Sequence, residues 1–423
     1  MTYLETLEYL LCLSQKGSVP GLERIRELLR LLGDPQDDLK VIHVTGTNGK
    51  GSFCAMLSSV LRSGGYNVAC FCSPYLNKPE EMFLYNGVSI SGTVFALYAS
   101  MVKEHNHKIN ATEYEFLTAL AFLYFSRLKP DVVILECCMG GLTDTTNVIS
   151  DPVLSVITSV SLDHTAFLGT TVAEIAYQKA GIIKADRPVI AFDCPTEAKK
   201  VIKDTASVLH SDYYFPDTFP ENTRLSLEGS TFDYCGMKDI RLPFCASYQI
   251  KNAISVIECV KLLKNEGLNI TENALRRGLS TAVWQGRFEI LSIEPLIIFD
   301  GCHNVHGVME VSRTLEVLFG KAKLIMISAM MRDKDYKAAA DIMSTHAQSV
   351  YTVLADNKRA LDPDVYAQVY SEIGVRATSC VDVSSAIKNA LEENKRTGSP
   401  ILIFGSLYMY KQVKKEIEKI TLK

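Results

Sequence analysis

Val41-Ile42-His43-Val44-Thr45-Gly46-Thr47-Asn48-Gly49-Lys50-Gly51-Ser52 is the stretch from which the rest of the chain can be read. Val41–Val44 is an apolar, strand-like run. It breaks at a polar, glycine-rich loop, and a helical pattern then starts at Phe53 with Leu57, Val60 and Leu61 on one face. Strand, glycine loop with a lysine, then helix is an arrangement that cradles nucleotide phosphates. Glycines let backbone N–H groups close around the oxygens, the helix N-terminus adds partial positive charge, and the lysine neutralises the outer phosphates. Thr47, Asn48, Gly49, Lys50, Gly51 and Ser52 are therefore candidate nucleotide-binding residues. The spacing departs from G-x-x-x-x-G-K-[ST]: Val44 stands where the first glycine would be, and the Ser52 hydroxyl comes one residue late, after Gly51. A generic glycine-rich turn is the competing reading.

Outward from this loop, apolar runs alternate with helical patterns. Strands are predicted at Val41–Val44, Val68–Cys72, Val132–Leu135, Val153–Ser159 and Pro188–Phe192, with helices near Phe53–Ser63, Val94–Glu104, Tyr114–Arg127 and Val172–Ala180. Such alternation implies an α/β fold with a mostly parallel sheet covered by helices on both faces. Tyr213–Leu242 is turn-rich and β-leaning, which predicts a small antiparallel appendage at about 211–243 before helices resume at Tyr248–Lys264. A second alternating series starts at Leu296-Ile297-Ile298-Phe299-Asp300, continues through a helix at Val305–Phe319 and closes with Ile401–Gly405 and a terminal helix, a Rossmann-like sheet of its own. Glu289–Pro295 reads as the linker between domains at 1–290 and 296–423. Two such units suit the joining of two substrates.

The 423 residues allow proper cores, and 47% hydrophobic with 22% charged residues is ordinary globular composition. A net charge of -4 argues against nucleic acid as a partner. No apolar run approaches the roughly 18 residues that span a membrane. The first residues carry Glu5 and Glu8 and no basic start, so they read as a helix rather than a signal, and a cytoplasmic location is expected. Cys70-x-Cys72 and Cys137-Cys138 lack the ligand spacing of structural zinc, and the adjacent pair would point to opposite faces of a strand. Buried free thiols in a reducing compartment are the reading adopted.

Polar clusters follow several strands. Glu136 ends the strand Val132–Leu135, where a carboxylate could serve Mg²⁺; a capping or surface acid is the alternative. Gly140-Gly141 and Thr143–Asn147 form a polar loop over the same edge, and Asp163-His164 lies just past another strand. A histidine there is as readily structural as metal-binding. Lys179, in IAYQKAGIIK, reads on its own as a solvated surface lysine. Asp300–Asn304 and Trp284–Phe288 are further clusters, with packing for Trp284 and a salt bridge for Arg287 as plain alternatives.

Together these segments resemble the folylpolyglutamate synthase/dihydrofolate synthase family, a branch of the Mur ligase superfamily. The resemblance runs collinearly from about Leu39 to Met409. HVTGTNGKGS resembles the family phosphate loop, Cys72–Leu76 its S-P-H-L loop, and Glu136–Asn147 its E-x-G-x-G-G-R-x-D-A-T-N segment. Asp163-His164 matches the D-H pair, Gln178–Ile182 the E-K-A-G-I helix, and Tyr248–Ala253 the H-Q-x-x-N-A segment. Trp284–Glu289 resembles W-P-G-R-F-E, Phe299–Asn304 resembles L-D-G-A-H-N, and Phe404–Tyr408 the terminal G-S-L-Y.

The resemblance implies a P-loop-containing Mur-ligase-like domain followed by a C-terminal glutamate-ligase domain. It implies ATP bound by the glycine loop and by Asn252, Arg287, Asp300 and His303. A first Mg²⁺ would be held by Ser52, Ser73 and Glu136, and a second by His164 and a carbamate on Lys179. Lys50, His164 and Lys179 would be catalytic, while Tyr75, Asp144, Thr145 and Ser406 would face the substrate. The implied reaction joins L-glutamate to a folate carboxylate through an acyl phosphate, in a monomer. The pattern departs on the acceptor side. Tyr75 replaces the S-P-H-L histidine, Glu81–Gly87 lacks both arginines of E-R-x-R-x-N-G, Leu142 replaces the G-G-R arginine, and Gln178 replaces a glutamate. Neutral drift within a folate enzyme is the first reading of these departures; alternatively Met82, Phe83 and Leu84 would suit a less anionic acceptor, since a bidentate clamp cannot be rebuilt from Met and Leu. A paralogous amide ligase for a non-folate acid, and an inactive nucleotide-binding protein, are the alternative readings.

Overall fold

The computed structural model describes residues 1–17 and 19–421. The chain packs as two compact units: Met1–Phe219 with Asn252–Ala282, and Pro220–Lys251 with the chain from Val283 onward. The appendage strands thus cluster with the second unit, and the chain passes between the groups within the helix Ser247–Leu263.

The first unit is built on β1 Val41–Thr45, β2 Val68–Phe71, β3 Phe83–Tyr85, β4 Val88–Ser89, β5 Val132–Glu136, β6 Leu154–Ile157, β7 Val189–Ala191 and β8 Tyr213–Tyr214. Their order in the sheet is β4-β3-β2-β5-β1-β6-β7-β8, parallel from β2 to β8 and antiparallel at β3 and β4. Every residue of β1 and β5 is buried, which is why these strands read as continuous apolar runs rather than alternating ones. On one side Phe71, Phe95, Phe116, Phe122 and Phe125 form a shared core with the helices Gly92–Ile109 and Glu113–Leu128. The second of these starts at a Thr112–Glu115 capping box. A second cluster around Ile157, Ile175, Ile183 and Ile202 lies beneath the helices Val172–Ala180 and Thr196–Val208. The helix Gly92–Ile109 outruns its predicted end at Glu104, because His107 and Lys108 complement the dipole of its last turn and Asn110 stops it at φ 59.

The second unit holds a three-stranded antiparallel sheet, β9 Glu221–Ser226, β10 Gly229–Tyr234 and β11 Met237–Leu242. Its larger sheet comprises β12 Glu289–Ile293, β13 Leu296–Asp300, β14 Leu324–Ser328, β15 Ala347–Thr352, β16 Ala377–Ser379 and β17 Ile401–Phe404, in the order β12-β13-β17-β14-β15-β16. The predicted linker Glu289–Pro295 is instead a hairpin: β12 pairs antiparallel with β13, Glu289 opposite Phe299. Its half-buried mixture of Glu289, Ile290, Ser292 and Ile293 suits an edge strand. Among the described residues no helix is long and apolar enough to cross a membrane.

Candidate nucleotide and metal site

The carboxyl ends of β2, β5, β1 and β6 lie side by side, so the segments that follow them meet at one edge of the first sheet. Open α/β sheets take their ligands there. The glycine loop bridges β1 and the helix Lys50–Ser63, whose N-cap, Gly49, is left-handed at φ 84. A Cβ at Gly49 would lie 2.6 Å from Asn252 Oδ1, and one at Gly46 would lie 1.9 Å from Thr158 Oγ1. Only glycine lets the backbone come so close. The segment after β6 holds the loop's shape. Thr47 N donates to the Ser159 carbonyl at 2.9 Å, Asn48 N to Ser159 Oγ at 2.9 Å, and Thr158 Oγ1 to the Asn48 carbonyl at 2.7 Å. Thr47 Oγ1 accepts from Ser161 N and donates to the Ser161 carbonyl, both at 3.1 Å. Sequence reasoning missed Thr158 and Ser159; hydroxyl residues just past a strand's carboxyl end were the available signal. Lys50 Nζ donates to the Gly46 carbonyl at 2.9 Å, and Ser52 is buried in the first helical turn.

Glu136 is buried at the end of β5, and its Oε2 accepts from Ser73 N at 3.3 Å. Burial pushes its carboxyl well above the usual carboxylate range, while the Lys50 ammonium pulls the other way. Ser73 Oγ is buried with no hydrogen-bond partner. An orphaned hydroxyl on a residue whose backbone N–H holds a buried carboxylate offers hard-oxygen donors of the kind that fits Mg²⁺.

Lys179 is not a surface lysine: it is 2% exposed, and burial followed by the charge of Lys50 lowers its pKa to about 7, with Asp163 opposing. The loop after β5 fixes its helix. Leu142 N donates to the Gln178 carbonyl at 2.7 Å, and Asn147 Nδ2 donates to the carbonyls of Leu142 and Gly181 at 3.1 and 3.0 Å. His164 sits at φ 50 as N-cap of the short helix Thr165–Leu168, with Nε2 4.0 Å from Asp163 Oδ2.

Of the substrate-side candidates, Tyr75 is exposed, whereas Asp144 is buried and spends its carboxylate on its own loop. It accepts from Met139 N and Thr146 N at 3.0 Å each and from Thr146 Oγ1 at 2.6 Å. The Thr145 hydroxyl lies 2.7 Å from that of Thr118. Glu81, not singled out from sequence, shapes the loop that carries Tyr75 by accepting from Leu76 N at 2.9 Å and Asn77 N at 3.0 Å.

The second unit gathers its own polar cluster at the end of β13. Asp300 is buried and accepts from Tyr248 Oη at 2.5 Å, Phe288 N at 2.9 Å and Cys302 N at 2.7 Å. Arg287 lies against Gly301, where a Cβ would come within 2.9 Å of its Nη1, and His303 Nδ1 is 3.0 Å from the Gly301 carbonyl. Ser406 caps the turn Leu407–Met409 through a bond from Tyr408 N at 3.2 Å.

Residues 44–260 match the Mur ligase middle domain family, and residues 286–407 match the Mur ligase glutamate ligase domain family. The chain is 34% identical over 420 residues to the dihydrofolate synthase/folylpolyglutamate synthase of Bacillus subtilis, covering 95% of this chain and 96% of the relative. It is 32% identical to the folylpolyglutamate synthase of Lacticaseibacillus casei over 99% of both chains. Among solved structures, Mycobacterium tuberculosis folylpolyglutamate synthase complexed with ADP and AMPPCP superposes with a TM-score of 0.90 at 25% identity, covering 99% of this chain and 98% of that one. Escherichia coli FolC in complex with DHPP and ADP gives a TM-score of 0.87 at 27% identity, covering 100% and 98%. The chain belongs to the folylpolyglutamate synthase/dihydrofolate synthase family of Mur ligases. Within that family the structure shows what surrounds the departures near Met82. Met82 and Phe83 are buried in the apolar core with Phe71 and Phe95, so neither of these two side chains is presented to an acceptor. The arginine replacement at Met82 is accounted for by core packing, whereas Leu84, the second replaced position, is half-buried and lies outside that core.

Proposed function

We propose that this protein is an ATP-dependent ligase that adds L-glutamate to the carboxylate of a folate, releasing ADP and phosphate. The observation that carries the reading is the convergence of the glycine loop, Lys50, Ser73, Glu136 and Lys179 at one sheet edge in a chain of this family. The folate carboxylate attacks the γ-phosphorus of ATP to form an acyl phosphate and ADP. The glutamate amine then attacks the acyl carbon, and phosphate leaves. Several negative charges must meet in the first step, so preorganised positive charge supplies most of the stabilisation. Lys50, anchored by the loop carbonyl it already contacts, is placed to neutralise the outer phosphates. Ser73 and Glu136, with Ser52 of the first helical turn after the glycine loop, would hold a Mg²⁺, which when bound offsets phosphate charge.

Lys179 supports the carbamate reading through its burial and depressed pKa. An amine with a pKa of about 7 is about half uncharged at neutral pH, and the nitrogen lone pair of that neutral form can bond to CO₂ with loss of one proton. The product would be an anion near Asp163, and with His164, the next residue in the chain, it would suit a second Mg²⁺.

ADP release measured with glutamate present, across dihydropteroate, tetrahydrofolate and unrelated carboxylates, tests the proposal. Turnover that requires a pteridine-bearing acceptor is expected. Turnover with unrelated acids at equal kcat/KM, or none with either folate, would overturn it.

A further inference from the structure

Spacing alone argues against Cys70-x-Cys72 as a zinc pair, but the fold brings in a third thiol from a distant part of the chain. Cys54 lies in the helix Lys50–Ser63, one turn beyond Lys50. Cys70 is in β2, and Cys72 follows it; all three are free and buried. The Sγ atoms of Cys54 and Cys72 and a carboxylate oxygen of Glu136 all lie within 4.8 Å of one another. Zinc–thiolate bonds of about 2.3 Å in a tetrahedron place neighbouring ligand atoms roughly 3.3–3.8 Å apart, so this triad needs little movement to close on an ion. Two thiols and a carboxylate form a donor set for a thiophilic or borderline cation and a poor one for Mg²⁺. Ser73, the residue after Cys72, donates its backbone N–H to the same carboxylate, and its buried Oγ has no hydrogen-bond partner. Cys70 Sγ lies 3.3 Å from Cys72 Sγ, where either sulfur can donate, and it stands outside the set of ligand atoms that come mutually within 4.8 Å.

We propose that Cys54, Cys72 and Glu136 form an inhibitory site for a thiophilic divalent cation, Zn²⁺ or Cd²⁺. Occupancy draws the Glu136 carboxylate toward the two sulfurs and away from the Mg²⁺ it would otherwise hold. That consequence rests on the Mg²⁺ assignment above, whereas binding of the soft ion does not.

The test uses the full-length, reduced protein without nucleotide or Mg²⁺, titrated with Co²⁺ and followed by thiolate-to-cobalt charge-transfer absorbance. Zn²⁺ displacement and metal content after gel filtration are measured in parallel. One Co²⁺ per chain with a thiolate band is expected, abolished in Cys54→Ala and in Cys72→Ala and kept in Cys70→Ala. Zn²⁺ affinity in the first two variants should fall by more than the roughly 10–100-fold lost with a residue that merely supports a ligand. Circular dichroism and thermal midpoint establish that each variant is folded, and Cys54→Ser provides a smaller perturbation should Cys54→Ala fail to fold. Absence of a band in the wild type, or a band unchanged by both substitutions, would overturn the site. In turnover assays Zn²⁺ should inhibit the wild type, with relief by added Mg²⁺, and should inhibit Cys54→Ala far less. A cobalt band combined with inhibition that Mg²⁺ cannot relieve would keep the site and overturn the sharing of Glu136, which separates failure of this inference from failure of the Mg²⁺ reading.

Discussion

Burial decides what single side chains do in this protein. His43 sits in β1 with no exposure, its Nε2 2.8 Å from Thr146 Oγ1. The Thr146 hydroxyl spends its one hydrogen on Asp144, so Nε2 carries the proton, and Nδ1 is left buried without a partner. Burial, with a smaller push from Lys184, lowers the His43 pKa from 6.5 to about 3. Above pH 6.5 the ring is neutral folded or unfolded; as pH falls toward 3 the unfolded chain takes up a proton that the folded chain refuses, and stability drops. At about 1.4 kcal/mol per unit, lowering the pH from 7 to 5 should cost the wild type roughly 2 kcal/mol through this residue. Urea unfolding at the two pH values should show that loss reduced in His43→Gln; an equal loss in both proteins would exclude His43 as its source. Lys50 contributes charge in place of packing, so Lys50→Ala should keep the thermal midpoint and lower kcat on the order of a hundred- to a thousandfold. Near-normal kcat would show that the loop does not hold the reacting phosphates. Lys179→Ala should also lose activity, and short carboxylates such as acetate should restore part of it if a carbamate is the working form. Rescue equal with acetate and chloride would sink that form.

At the scale of elements, the site depends on loops and helices approaching more closely than side chains normally allow. A Cβ at Gly181 would lie 2.4 Å from the Cα of Leu142, a backbone atom that cannot swing aside. Gly181→Ala should therefore separate the helix Val172–Ala180 from the loop after β5. A stability loss of about 1–3 kcal/mol is expected, as for other overpacked contacts, with kcat falling because Lys179 moves with its helix. Denaturant midpoints and kinetics on the same preparation would check both; loss of stability with unchanged kcat would uncouple the loop from the site. The short element at Pro79–Met82 leads to a second prediction. Met82 is 2% exposed, so Met82→Arg should bury an unpaired charge and destabilise by more than about 3 kcal/mol, without tightening KM for a reduced folate. A stable variant with a lower folate KM would instead put that side chain at the acceptor.

Across the whole molecule, each of the two larger sheets organises polar residues at the carboxyl ends of its parallel strands: the glycine loop and Glu136 in the first unit, with Lys179 on a helix of that unit, and Asp300 in the second, with Arg287 against Gly301. The same construction rule explains why the motif-bearing segments are short, follow strands, and recur at intervals set by strand–helix repeats. The strands and the glycine loop were legible because their signals are local. Continuous apolar runs mark doubly covered strands, and a glycine at a helix start marks a backbone that must turn or approach something. Glu289–Pro295 was misread because a half-buried edge strand has neither an apolar run nor a clean alternation.

By itself the sequence determined the α/β class, the order of the elements and, through collinear motifs, the family, since all three are written in local pattern and residue order. Only the tertiary structure decided which side chains are dry. It buried Lys179 and depressed its pKa, turned Met82 into core, tied Asp144 to its own loop, and set Cys54 beside Cys72 and Glu136. Those outcomes depend on neighbours supplied by distant segments, and burial, the strongest influence on charge and metal affinity in this site, is a property of packing that no spacing along the chain contains.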